Sequence, residues 1–180
     1  MITASDRGAA GRREDTSGDV VQARLEQLGL VVERLMLPDD RPAIERALVE
    51  GAAGHHLVVT TGGTGLSPRD VTPDATRAVV DYEVPGIGEA MREEGRRHTP
   101  MASLSRAIGG VRGRCLIVNL PGSPRGAAES LDAIAPIVGH ALDTLAGPYE
   151  HDAPAPPSPA APTVDPARPA GPDQRGRGAG

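Results

Sequence analysis

The stretch Leu57-Val58-Val59-Thr60-Thr61-Gly62-Gly63-Thr64-Gly65-Leu66-Ser67-Pro68-Arg69-Asp70 constrains this chain more than any other. Leu57 to Thr61 is apolar and β-branched, the pattern of a strand covered on both faces. Gly62, Gly63 and Gly65 then let the backbone turn sharply and leave its N–H groups bare of side chains. Bare N–H groups bind anions, phosphate above all. Arg69 adds a fixed cation, and Asp70 adds a hard oxygen ligand suited to Mg²⁺. For the glycines taken alone, an ordinary βα turn is an equal alternative.

The flanking sequence repeats strand and helix in alternation. Met1-Ile2-Thr3 reads as the end of a very short first strand, Ser5 to Gly8 as a turn, and Gly11 to Gly18 as a charged loop. Val21, Leu25 and Leu28 share one face of a helix over 19–28, closed by Gly29. A second strand over 30–37 stops at Pro38-Asp39-Asp40, where an aspartate can cap a helix over 41–52. Past Asp70, Thr72 as N-cap and Pro73 as first helical residue start a helix to about Val80. Pro85-Gly86 breaks the chain before a helix over 87–97. Residues 101–108 contain a candidate turn into an edge strand, and Gly109 to Gly113 reads as a turn. Cys115 to Leu120 is another buried strand. It runs into Pro121-Gly122-Ser123-Pro124-Arg125-Gly126, with Ser123 as N-cap and Pro124 at the first helical position. The last helix, over 127–146, should kink at Pro136 and end at Gly147-Pro148. Strand, helix and strand joined by short links imply parallel strands and right-handed crossovers.

Composition excludes several chemistries. All 19 basic residues are arginine, so neither a Schiff-base lysine nor a phosphate-loop lysine is available. Tyr82 and Tyr149 are the only aromatics and the net charge is −5, which argues against a nucleic-acid partner. The single cysteine, Cys115, permits no intrachain disulfide and suits a cytoplasmic protein. No signal peptide is expected, and no apolar run approaches the ~20 residues that span a membrane. Residues 1–148 read as one domain. Residues 149–180, rich in Pro, Ala and Gly, read as a disordered tail.

Three loops fall at the carboxyl ends of three strands: Pro38 to Asp40, Gly62 to Asp70, and Pro121 to Arg125. In an open parallel sheet that edge is where ligands bind. The loops supply bare N–H groups, Arg69 and Arg125, and the carboxylates Asp39, Asp40 and Asp70. This is the equipment for phosphoryl or nucleotidyl transfer. Neither the phosphate-loop nor the dinucleotide-binding glycine fingerprint is present.

Thr61-Gly62-Gly63-Thr64-Gly65, followed by Arg69-Asp70-Val71-Thr72-Pro73-Asp74-Ala75-Thr76, resembles the molybdenum cofactor biosynthesis family of MogA/MoaB type. Ser5-Asp6-Arg7, Glu14 to Gly18, Pro38-Asp39, Pro85-Gly86, Leu104-Ser105-Arg106 and Leu120 to Pro124 support the resemblance, which covers residues 1 to about 148. It implies a three-layer α/β/α sandwich around a mostly parallel sheet, assembled as a homotrimer. It also implies Mg²⁺-dependent transfer of AMP from ATP to the terminal phosphate of molybdopterin, with pyrophosphate released. The product would pass to a molybdate-insertion protein. By position, Asp39 and Asp70 match the family's functional aspartates, as Mg²⁺ ligands or as orienters of the attacking phosphate. Ser5, Asp6, Gly62, Gly63, Thr64, Gly65, Arg69, Ser105, Pro121, Gly122, Ser123 and Pro124 would line the substrate pockets. A non-catalytic molybdopterin-binding paralogue or scaffold of the same fold is the alternative. The chain departs from the family in starting only four residues before Ser5, which shortens the expected first strand, and in having Ser123 where an amide side chain is common.

Overall fold

The structure is a computed structural model and describes residues 1–147. The tail expected over 149–180 lies outside the described residues. Six strands form one sheet: β1 (Ile2–Ala4), β2 (Leu35–Leu37), β3 (Leu57–Thr61), β4 (Tyr82–Glu83), β5 (Gly109–Arg112) and β6 (Cys115–Leu120). Their order is β2-β1-β3-β6-β5-β4. β2, β1, β3 and β6 run parallel, and β5 and β4 add antiparallel to β6 and to each other.

The side-chain period of two explains the layers. In β6, Cys115 and Ile117 point into one core, while Leu116, Val118 and Leu120 point into the other. Helices α3 (Arg41–Gly54) and α4 (Thr72–Val79) close the first core through Ile44, Leu48 and Ala75. Helices α2 (Thr16–Gln27), α5 (Pro85–His98) and α6 (Pro124–Ala146) close the second through Val21, Leu25, Met91 and Leu131. A four-residue helix, α1 (Asp6–Ala9), follows β1. The result is the expected three-layer sandwich. Ile44 and Leu48 are fully buried, and each contributes about 1.5–3 kcal/mol by leaving water.

Several elements differ from the sequence reading. Gly109–Arg112 is a strand, and only Gly113, at φ +57°, begins the turn into β6. Gly109 serves close packing: a Cβ there would sit 2.7 Å from Ile87. Tyr82–Glu83 pairs as a further edge strand, and residues 100–104 form a 3-10 turn. The turn expected over Ser5 to Gly8 is the helix Asp6–Ala9, with Ser5 as its extended N-cap. The second strand keeps only Leu35–Leu37 of the expected span. Thr72 lies inside α4 and does not cap it; Val71 holds that position with no side-chain bond. α2 begins at Thr16 because Asp15 caps it, accepting from the Gly18 N–H at 2.8 Å. The same carboxylate accepts from Thr3 Oγ1 and Arg34 Nη2, both at 2.7 Å, and so ties α2 to β1. Burial pushes Asp15 up, but these bonds together outweigh it and hold the carboxyl below its ordinary value.

Candidate active site at the carboxyl ends of the parallel strands

β1 connects to β2 on one side and is flanked by β3 on the other, so strand order reverses at β1. A crevice is expected just beyond that point. A polar pocket of about 170 Å³ opens there, lined by Ser5, Asp39, Gly62, Gly63, Asp70 and Gly122 among others. The three loops picked out in the sequence therefore do meet.

Gly62 and Gly63 are required by geometry. Their φ angles are +100° and +62°, and a Cβ on Gly62 would lie 2.3 Å from the Ala4 carbonyl oxygen. The Gly62 N–H is already occupied, donating to Leu120 O at 3.1 Å. Among the described residues, nothing accepts from the N–H groups of Gly63, Thr64 and Gly65, which remain available to an anion.

The two aspartates share one arrangement. Asp39 Oδ2 accepts from the Asp6 N–H at 3.0 Å, and Asp70 Oδ2 accepts from the Ser67 N–H at 2.8 Å. Among the described residues the second oxygen of each accepts nothing. Helix capping, the competing reading for Asp39, belongs to Asp40, which accepts from the Ala43 N–H. For Asp70 the loop-ordering bond exists and leaves one oxygen over. Burial raises the Asp39 carboxyl above its ordinary value; the charges of Asp6 and Asp70 push the same way, while the Asp6 N–H and Arg69 oppose them.

Asp6 and Arg69 do not line this pocket. Asp6 Oδ1 accepts from the Asp39 N–H at 3.0 Å, reciprocating the bond in the other direction, and Arg69 Nη2 donates to Asp6 Oδ2 at 2.5 Å. They form an exposed clasp around Asp39. The bond from Arg69 holds the Asp6 carboxyl below its ordinary value, helped by the Asp39 N–H.

Thr64, Gly65, Ser105, Pro121 and Ser123 border a second lobe of about 290 Å³. Gly62-Gly63-Thr64-Gly65 and Pro121-Gly122-Ser123 form the ridge between the lobes, and a Cβ on Gly122 would come 3.1 Å from Gly62 Cα. Thr61 Oγ1 donates to Pro121 O at 2.8 Å and locks the two loops together. Ser5, Ser105 and Ser123 each accept a local backbone N–H, from Gly8, Ala107 and Gly126. Pro124 starts α6 and lines neither lobe. Arg125 lines neither lobe; it pairs at 2.6 Å with Glu129, which lines the second.

Sequence reasoning gave Arg106 no role, yet it braces the whole glycine loop. Its N–H donates to Thr64 O at 2.9 Å, Nε to Gly65 O at 2.8 Å, and Nη2 to Asp70 O, while Nη1 pairs with Asp74 at 3.0 Å. The signal was present in the run Leu104-Ser105-Arg106, but its partners, Thr64 to Asp74, are 32 to 42 residues away. Behind the loop, Asn119 Nδ2 donates to Thr60 Oγ1 and Thr76 Oγ1, linking β6, β3 and α4 in the buried core.

Among the described residues, no group of three or more His, Cys, Asp or Glu is placed to hold a metal, and no helix is long and apolar enough to cross a membrane.

A family model described as "Probable molybdopterin binding domain" matches residues 1–140. The molybdopterin adenylyltransferase of Haemophilus influenzae is 45% identical over 148 residues, which cover 79% of this chain and 75% of that protein. The enzyme of the same name from Escherichia coli K12 is 37% identical over 171 residues, covering 86% and 88%. The crystal structure of the molybdopterin biosynthesis enzyme MoaB from Thermus thermophilus superposes with a TM-score of 0.75 at 49% identity, covering 80% of this chain and 92% of that one.

Proposed function

The chain belongs to the molybdopterin-binding domain family, and from that premise we propose that it is a molybdopterin adenylyltransferase acting in molybdenum cofactor biosynthesis. A terminal phosphate oxygen of molybdopterin attacks the α-phosphorus of ATP in line, and pyrophosphate leaves. The observation that carries this reading is the pair Asp39 and Asp70, each fixed by one backbone N–H with one oxygen left over, in the same polar pocket as the glycine loop. Fixed groups need no reorganisation when charge develops, so positioning and electrostatics supply most of the rate. The free N–H groups after Gly62 receive phosphate oxygens, and the clasp of Asp6 and Arg69 keeps Asp39 aimed inward. No covalent enzyme intermediate is needed, which agrees with a chain that lacks lysine.

The donor set fits Mg²⁺. Both free donors are hard oxygens, and Asp39 and Asp70 line one polar pocket, where burial first, and the charges of Asp6 and Asp70 after it, raise the Asp39 carboxyl. Two carboxylates completed by substrate phosphates and water are the usual surroundings of this ion. Asp39 and Asp70 would hold it, and when bound it neutralises charge on the phosphates. The same reading carries a homotrimer, a cytoplasmic location and a molybdate-insertion protein that takes the product.

The test is product formation from molybdopterin, ATP and Mg²⁺. Asp39→Asn and Asp70→Asn should each lower kcat by about 10²-fold or more while molybdopterin still binds. A wild-type protein that binds molybdopterin and releases no pyrophosphate defeats the proposal in favour of a binding paralogue.

A further inference from the structure

Two buried side-chain atoms have no hydrogen-bond partner among the described residues: Asn119 Oδ1, in the core network behind the glycine loop, and Thr72 Oγ1. Folded proteins rarely leave a buried polar atom unanswered. Thr72 is 0% exposed, and its backbone is fixed on both sides. Its N–H donates to Gly63 O at 3.2 Å, and its carbonyl accepts from Thr76 Oγ1 at 2.9 Å. A β-branched side chain on so fixed a backbone has few rotamers open to it. The hydroxyl therefore has a definite direction. The point where a side chain on Gly63 would begin lies 2.4 Å from Thr72 Oγ1 but 3.4 Å from Thr72 Cβ, so the C–O bond is aimed at the bare face of Gly63. Asp39 Oδ1 lies 3.4 Å from the same point. It is the oxygen left over when Oδ2 accepts from the Asp6 N–H. A donor without an acceptor thus faces an acceptor without a donor across a glycine. No direct bond joins them in this structure. One water, with bonds of about 2.8 Å on either side, spans such a space.

We propose that Thr72 is a positioning residue for Asp39: its hydroxyl binds a single water on the bare face of Gly63, and that water donates to Asp39 Oδ1. The carboxylate is then held at Oδ2 by the Asp6 N–H and at Oδ1 by the water, while Oδ1 keeps a further lone pair for the substrate side. The proposal rests on the reading that Asp39 acts on substrate. It gives Gly63 a second task beyond its φ of +62°, because any side chain there would take the water's place.

Thr72→Val keeps the shape and removes the hydroxyl; Thr72→Ser keeps the hydroxyl and removes the methyl. Thr72→Val should lower kcat about 10-fold, with the KM values for ATP and molybdopterin unchanged. Its thermal midpoint should be no lower than the wild type's, since losing a buried hydroxyl together with its water to an isosteric methyl is close to neutral. Thr72→Ser should keep most of the wild-type kcat. Wild-type kcat in Thr72→Val overturns the proposal. So does an equal loss in both variants with lowered midpoints, which assigns Thr72 to packing. Crystal structures of the full chain and of Thr72→Val decide the same point without turnover. The first should show a water bonded to Thr72 Oγ1 and Asp39 Oδ1, and the second should lack it. The functional reading is judged apart: a wild type that makes no adenylylated product yet holds this water refutes the reading and keeps the link from Thr72 to Asp39. Product formation by a wild type without the water refutes the link alone.

Discussion

Asp39 shows how little a single residue's chemistry depends on its own identity. Asp39 and Asp40 are adjacent carboxylates; one caps a helix and the other faces the pocket, and the difference is made by which N–H each meets. Burial with two neighbouring carboxylates raises Asp39, so it ionises at a higher pH than an ordinary aspartate. If the ionised form is the active one, the acid limb of kcat/KM lies above that range. Arg69 opposes the rise, so Arg69→Gln should move the limb to still higher pH, which a pH profile would read directly; a shift to lower pH would contradict the assignment. The linkage has a second side. A carboxyl raised by folding stabilises the protein fully below its unfolded pKa, and that contribution is lost as pH rises through the folded value. Asp39 thus costs stability at neutral pH, as expected of a group kept for chemistry. Asp15 is lowered, with the opposite sign: its contribution is present above the unfolded pKa and fades as pH falls through the folded one.

At the scale of the element, the glycine loop keeps its shape through a residue far along the chain. Arg106 answers three carbonyls of the loop and pairs with Asp74 at the start of α4. Arg106→Lys keeps a charge but cannot reproduce the fork. It should lower stability by about 2 kcal/mol, or roughly 5 °C in thermal midpoint, and reduce turnover more than substrate binding. Calorimetry beside steady-state kinetics measures both, and an unchanged midpoint would show that the brace is redundant. The elements themselves were legible where a period or a cap was strong: β3, β6, the Ser123 cap of α6 and the 3–4 spacing of its buried face all lie where the pattern places them. β4 and β5 were not legible. β4 is two residues long and β5 begins with two glycines, which read locally as a turn; their antiparallel pairing with each other and with β6 is what makes them strands.

For the molecule as a whole, Cys115 offers a readout. It lies on β6 at 1% exposure, and burial pushes its thiol up to about 11. A disulfide reagent should label it only when the sheet opens, so labelling protection should track the global unfolding free energy measured with denaturant. Rapid labelling in native buffer would show that β6 opens separately. The strand–helix alternation and the glycine loop were enough, by themselves, to determine an α/β sheet and to set Asp39, Asp40 and Asp70 in loops at the carboxyl ends of its strands, because local period and turn chemistry are displayed by a linear chain. The choice of Asp39 and Asp70 among these carboxylates came from the resemblance to the family. The tertiary structure alone decided that the candidate residues divide between two lobes across one ridge. It placed Asp6 and Arg69 in a clasp on Asp39 and made Arg106 the brace. Those roles depend on which donors and acceptors meet across 32 to 63 residues of chain, and no local pattern encodes such meetings.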